Sequence, residues 1–125
     1  MDQNTMRWAV ILHLSQFGGY FVPLLGFIAP ILVWQLKKDE VPGLDAHGRQ
    51  VANWLISLVI YLTVLPGLIF LCMTSFGIGM GFLGLFLIWL IAIGFGLLAL
   101  IFPIIGAIKA TNGMVWEYPL TIQIL

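Results

Sequence analysis

The residues able to do chemistry are few, and most fall in two places. One is a polar stretch with Asp39, Glu40, Asp45, His47 and Arg49. The other is a run of polar side chains, Gln50, Asn53, Ser57 and Tyr61, inside an otherwise apolar segment. Their spacings of three, four and four place them on one helical face. Polar side chains avoid lipid, so this stripe is expected to face protein or a water-filled cavity. It either bonds to other helices or lines a substrate path. An Asp45–His47 pair offers acid–base chemistry, but a helix cap beside an interfacial histidine accounts for both residues more simply. No nucleophile with an adjacent base is evident, and no pair of carboxylates with separated environments. The chain is therefore read as non-enzymatic, with no catalytic residues.

Metal and cofactor motifs fare no better. His13 and His47 fall at the starts of successive apolar segments. If the first segment spans a bilayer, they lie at opposite faces, about 30 Å apart, and cannot share an ion. A re-entrant first segment relaxes that restriction. No Cys/His spacing fits zinc, so no metal is expected. Gly79-x-Gly81-x-x-Gly84 matches the dinucleotide-binding pattern in form. That fingerprint needs a preceding strand and an acidic residue about 20 positions on. An apolar helix precedes this one, and no acid follows until Glu117, so a tight turn between helices is the better account. No cofactor is expected. Cys72 stands alone in an apolar run and is read as packing or facing lipid.

These side chains must be positioned by membrane helices. The chain has 125 residues, is 62% hydrophobic and only 8% charged. Soluble domains average about 45–50% and about 25%. Residues 50–108 contain no Asp, Glu, Lys or Arg, which is length enough for two crossings and a turn. The expected fold is one all-α integral membrane domain over 1–125, with about three transmembrane helices. They cover roughly 8–36, broken or kinked, then 46–73 and 82–110, followed by a short tail. Gly18-Gly19, Pro23 and Pro30 interrupt the first segment, so it is either kinked or split near Gly18-Gly19, with 8–17 too short to span. The apolar start is too long for a signal-peptide core and reads as retained. Asp45 is placed as the N-cap of the second helix, Pro66-Gly67 as a bend, and 77–81 as a glycine-rich connection. Ala92 and Gly96 form a small-xxx-small pair suited to close helix approach. Thr121-Ile122-Gln123-Ile124 alternates and suits an extended stretch. Lys109 reads as a snorkelling anchor.

Net charge is zero, with no basic patch, which argues against nucleic acid. The expected partners are the lipid bilayer and either further copies of the chain or a larger membrane protein. Three crossings would place Lys37, Lys38, Arg49 and Lys109 on one side and Arg7 on the other. The positive-inside rule then puts the charged loop 37–49 and the C-terminus in the cytoplasm, in a bacterial inner membrane. A re-entrant first segment would bring the N-terminus to that side too.

Three groups of motifs recur in order between the apolar runs. The first joins His13-Leu14-Ser15 through Gly26-Phe27-Ile28-Ala29-Pro30 to Trp34-Gln35-Leu36-Lys37-Lys38-Asp39-Glu40. The second is His47-Gly48-Arg49-Gln50-Val51-Ala52-Asn53 with Ser57. The third is residues 102–113, ending Lys109-Ala110-Thr111-Asn112-Gly113, followed by Tyr118-Pro119-Leu120-Thr121-Ile122. The pattern resembles the bacterial Tic-twenty-like family of small membrane proteins, a domain of unknown function distantly similar to a chloroplast import component. The resemblance implies a small membrane protein, and His47, Arg49, Asn53, Lys109 and Asn112 as its motif positions. It also implies a link to protein translocation, through a chloroplast relative with four membrane helices, and to relatives in magnetosome membranes that influence mineral growth. Helix association is the leading expectation, and a transporter or translocation path along the second helix is the alternative.

Overall fold

In a computed structural model, describing residues 2–77 and 79–125, the chain folds into four α-helices and an extended tail. They are α1 (Gln3–Leu14), α2 (Leu25–Lys37), α3 (Leu44–Phe76) and α4 (Gly79–Thr111), with a 3-10 turn, Ser15–Tyr20, after α1. The expected count of three is corrected to four, because the first segment is two helices. The break falls where Gly18 and Gly19 occur. Gly19 meets Gly26 backbone to backbone, and a Cβ at Gly26 would stand 2.8 Å from the Gly19 Cα. That approach folds α2 back along α1, and the N-terminal end of α1 returns to the charged loop. There the Thr5 hydroxyl donates to the Pro42 carbonyl at 2.8 Å, and the Lys37 ammonium lies 5.1 Å over the Trp8 ring.

At 1.5 Å per residue, α1 and α2 are about 18 and 20 Å long, too short for a hydrocarbon core of about 30 Å. The 33-residue helices α3 and α4 are about 50 Å each, long and apolar enough to cross. Their length and apolar composition, in a chain that is 62% hydrophobic, suit a membrane protein. α3 runs unbroken through Pro66, and Gly77 closes it at φ 89°. Of the expected connection 77–81, Ile78 lies outside the described residues. Asp45 does not cap α3. Gly43, at φ 82°, takes the N-cap position, and Asp45 sits in the first turn, accepting from the Trp34 indole at 2.9 Å and from Arg49 at 2.8 Å.

Packing divides the molecule in two. Among the described residues, the only buried one between Val59 and Ile101 is Gly84, which seats the Met73 side chain. All other buried residues lie in the half nearer the charged loop. Here α1, α2 and the tail surround the adjoining halves of α3 and α4. Trp54, fully buried, packs its ring at a tilt against Phe102, with centroids 4.7 Å apart, and Leu12, Leu44, Val51 and Tyr118 belong to the same core cluster. Ala92 and Gly96 do not join a helix contact: both are exposed, and a Cβ at Gly96 would meet nothing within 4 Å. Because α1 folds back, Arg7 shares the charged end with Lys37, Lys38, Arg49 and Lys109.

Candidate functional site

A chain of buried polar groups runs through the packed half. The face of α1 carrying Thr5, Ala9, Leu12 and His13 is buried, and Gln16 in the following turn continues it. This face lies against α4, where Gly106 makes room: a Cβ there would stand 2.5 Å from His13 Nδ1. His13 thus reaches both α3 and the tail. Its Nε2 lies 3.2 Å from His47 Nδ1, and its Nδ1 lies 2.6 Å from the Tyr118 hydroxyl. The expected separation of about 30 Å between the histidines was conditional, and its condition is not met. It assumed a spanning first helix, and the re-entrant fold brings them into contact.

The proton positions follow from counting donors. The Gln16 amide donates to the Tyr118 oxygen at 3.0 Å. Tyr118 then donates to His13 Nδ1, which leaves the His13 proton on Nε2 to donate to His47 Nδ1. The His47 proton must sit on Nε2, a buried atom without a partner among the described residues. The reverse direction would also strand the Tyr118 proton, so this one is favoured. Burial pushes the Tyr118 hydroxyl above its usual range, which keeps it a donor, although the Gln16 bond pulls the other way. Burial, and secondarily the neighbouring His47, lowers His13 to about 3. It is a neutral imidazole at neutral pH. Three of the four ring nitrogens are committed to hydrogen bonds, and among the described residues no group of three His, Cys, Asp or Glu gathers that could hold a metal ion.

The polar stripe has a different partner from those expected. It holds the tail. Asn53 is fully buried, and its Oδ1 accepts the backbone N–H groups of Ile124 (3.2 Å) and Leu125 (2.8 Å). Its Nδ2 donates to Gln123 at 3.0 Å. Ser57 Oγ accepts the Ile122 N–H at 2.8 Å and donates to the Asn53 carbonyl. The Tyr61 hydroxyl donates to the Leu120 carbonyl at 2.7 Å. Extended backbone carries polar groups that lipid cannot satisfy, and these side chains satisfy them. Leu120 turns the tail with a left-handed φ of 62°. The face that a substrate path would need is occupied.

Gln50 begins the stripe half-buried, with its Oε1 unpartnered among the described residues. Asp45 bonds to Trp34 and Arg49 and not to His47, so the acid–base pair does not form. Arg49 is exposed, Lys109 is half-buried in the last turn of α4, and Asn112 is exposed in the turn after it. Sequence reasoning missed Gln16 and Tyr118 as partners of His13. The available signal was the i, i+3 pair of polar residues, His13 and Gln16, in an apolar stretch.

Replacing Asn53 with alanine should free the tail beyond Leu120. Three bonds are lost and two backbone donors stranded, a loss on the order of 2–4 kcal/mol. Hydrogen exchange at the amides of Ile122, Ile124 and Leu125 measures it. Exchange as slow as in the parent would show that the stripe does not hold the tail.

Over residues 4–125 the sequence matches the magnetosome magnetite crystal formation protein family (MamF/MmsF). That match corrects the resemblance to Tic-twenty-like proteins, which does not hold. No curated protein matches, and no solved structure does.

Proposed function

The chain belongs to the magnetosome magnetite crystal formation protein family, and from that premise we propose that it is a non-enzymatic membrane component of a crystal-forming compartment. It works by associating with further copies of itself or with a larger membrane protein. One observation supports this above others: the buried polar side chains are largely spent on one another. The imidazole chain is enclosed, and the stripe is filled by the tail. What faces outward is a charged end and the apolar surfaces of α3 and α4. On α4 a Cβ at Gly94 or Gly96 would meet nothing within 4 Å, so a neighbouring helix can approach closely there. In mild detergent, light scattering should give a protein mass well above the 13.9 kDa of one chain. A strict monomer with no co-purifying protein would sink the reading.

Arg7, Lys37, Lys38, Arg49 and Lys109 at one end favour the cytoplasm for that end, in a bacterial inner membrane. With Cys72→Ala as background, an impermeant maleimide applied to intact spheroplasts should label Ser75→Cys and spare Gln3→Cys. The opposite pattern would invert the topology.

A further inference from the structure

The two halves of the molecule take up very different areas of membrane. Around Leu83 and Leu68 the cross-section holds two helices. Around Trp54 and Phe102 it holds four helices and the tail. The boundary is the tip of the α1–α2 hairpin. There the Tyr20 hydroxyl donates to the Gly96 carbonyl at 3.3 Å. A crevice of about 240 Å³ lined by Tyr20, Pro23, Leu58 and Gly96 sits beside this bond. Leu58 and Gly96 lie near the midpoints of α3 (Leu44–Phe76) and α4 (Gly79–Thr111). The hairpin therefore enters from the charged end and stops about halfway. Its tip is apolar and bare: Phe21 is 89% exposed and Leu24 66%. Such a tip at mid-depth suits acyl chains, and the charges at its base belong among headgroups and water.

We propose that the chain is a one-leaflet wedge that concentrates in curved bilayers, with its charged end on the convex side. A helix is about 10–12 Å across, so two short helices add roughly 160–220 Å² to one leaflet and nothing to the other. Half-inserted amphipathic elements bind in a curvature-sensitive way because they expand one leaflet alone. Here the wedge is fixed to two crossing helices, so it sets a preferred side as well as a preferred radius. This inference does not depend on self-association or on mineral chemistry.

The test uses the full chain carrying Cys72→Ala and a fluorophore at Gln3→Cys. It is reconstituted into mixed zwitterionic and anionic phospholipid vesicles with a range of diameters. An impermeant quencher separates molecules with the charged end outside from those with it inside. Outward molecules should be at least about twofold denser per lipid area on the smallest vesicles than on the largest, and inward molecules should show the reverse trend. Adding Phe21→Asp and Leu24→Asp, which keeps the tip out of the acyl region, should flatten both trends. Equal densities at all diameters would overturn the proposal, and so would the same slope for both orientations. Those two outcomes need only the wild-type tip, so they decide even if the acidic variant does not fold.

Discussion

His13→Ala is expected to destabilise the packed half by about 3–5 kcal/mol, summing a cavity and two stranded partners. The imidazole is fully buried between Gly106 of α4, His47 of α3 and Tyr118 of the tail. Alanine leaves a void where α1 meets α4, and it strips the Tyr118 hydroxyl and His47 Nδ1 of their partner. The same substitution has a pH signature. In the native chain His13 is held to about 3, below its usual 6.5, by burial and then by His47. The unfolded chain therefore binds the proton first. Stability from this group is complete above about pH 6.5 and declines as pH falls toward 3, by up to about 1.4 kcal/mol per unit. Thermal unfolding in mild detergent between pH 7.5 and pH 4 should show that decline in the parent and a shallower one in His13→Ala. Equal slopes would mean that His13 is not the titrating group.

Gly48→Ala should be nearly as damaging, although it adds only one methyl group. The Trp34 ring of α2 lies directly on Gly48 of α3, and a Cβ would overlap its Cγ, Cδ1 and Nε1 atoms. The indole cannot yield cheaply, because its N–H donates to Asp45 at 2.9 Å and Lys38 lies 5.9 Å from its ring. Overpacking costs about 1–3 kcal/mol, and the lost bond adds to that. The expected result is a loss of about 2–4 kcal/mol, with α2 lifted from α3 and α1 still docked on α4. Trp34→Leu in the same chain should recover part of the loss, since the smaller side chain makes room. A Gly48→Ala protein as stable as the parent would show that the ring has space to move.

Some of this was legible from residue order and some was not. The two long apolar helices follow from one charge-free run, and their ends fall within three residues of expectation. The stripe of Asn53, Ser57 and Tyr61 does share one face, as its spacing requires. Its occupant was not legible. A helix face that recognises backbone N–H groups places no demand on the side chains of the segment it holds. The alternation at 121–124 marked that segment as extended, but not its place. His13 and His47 were set apart by a single assumption about how many times the first 36 residues cross. The two glycines at 18 and 19 flagged that assumption, yet backbone proximity between Gly19 and Gly26 depends on tertiary packing that local pattern does not encode.

The gathering of charges at one end also bears on how the chain enters its membrane. The turn between α3 and α4 and the residues flanking it, 74–82, contain no ionisable side chain. Carrying that turn across a bilayer therefore moves no charge, where a single Lys or Asp at the centre would cost about 2.5–3.5 kcal/mol. With the charged end on the cytoplasmic side, as proposed, the α1–α2 hairpin and the tail need no translocation. In that orientation, integration reduces to passing one neutral helical hairpin through the lipid, after which the remaining elements assemble against it from the side of synthesis.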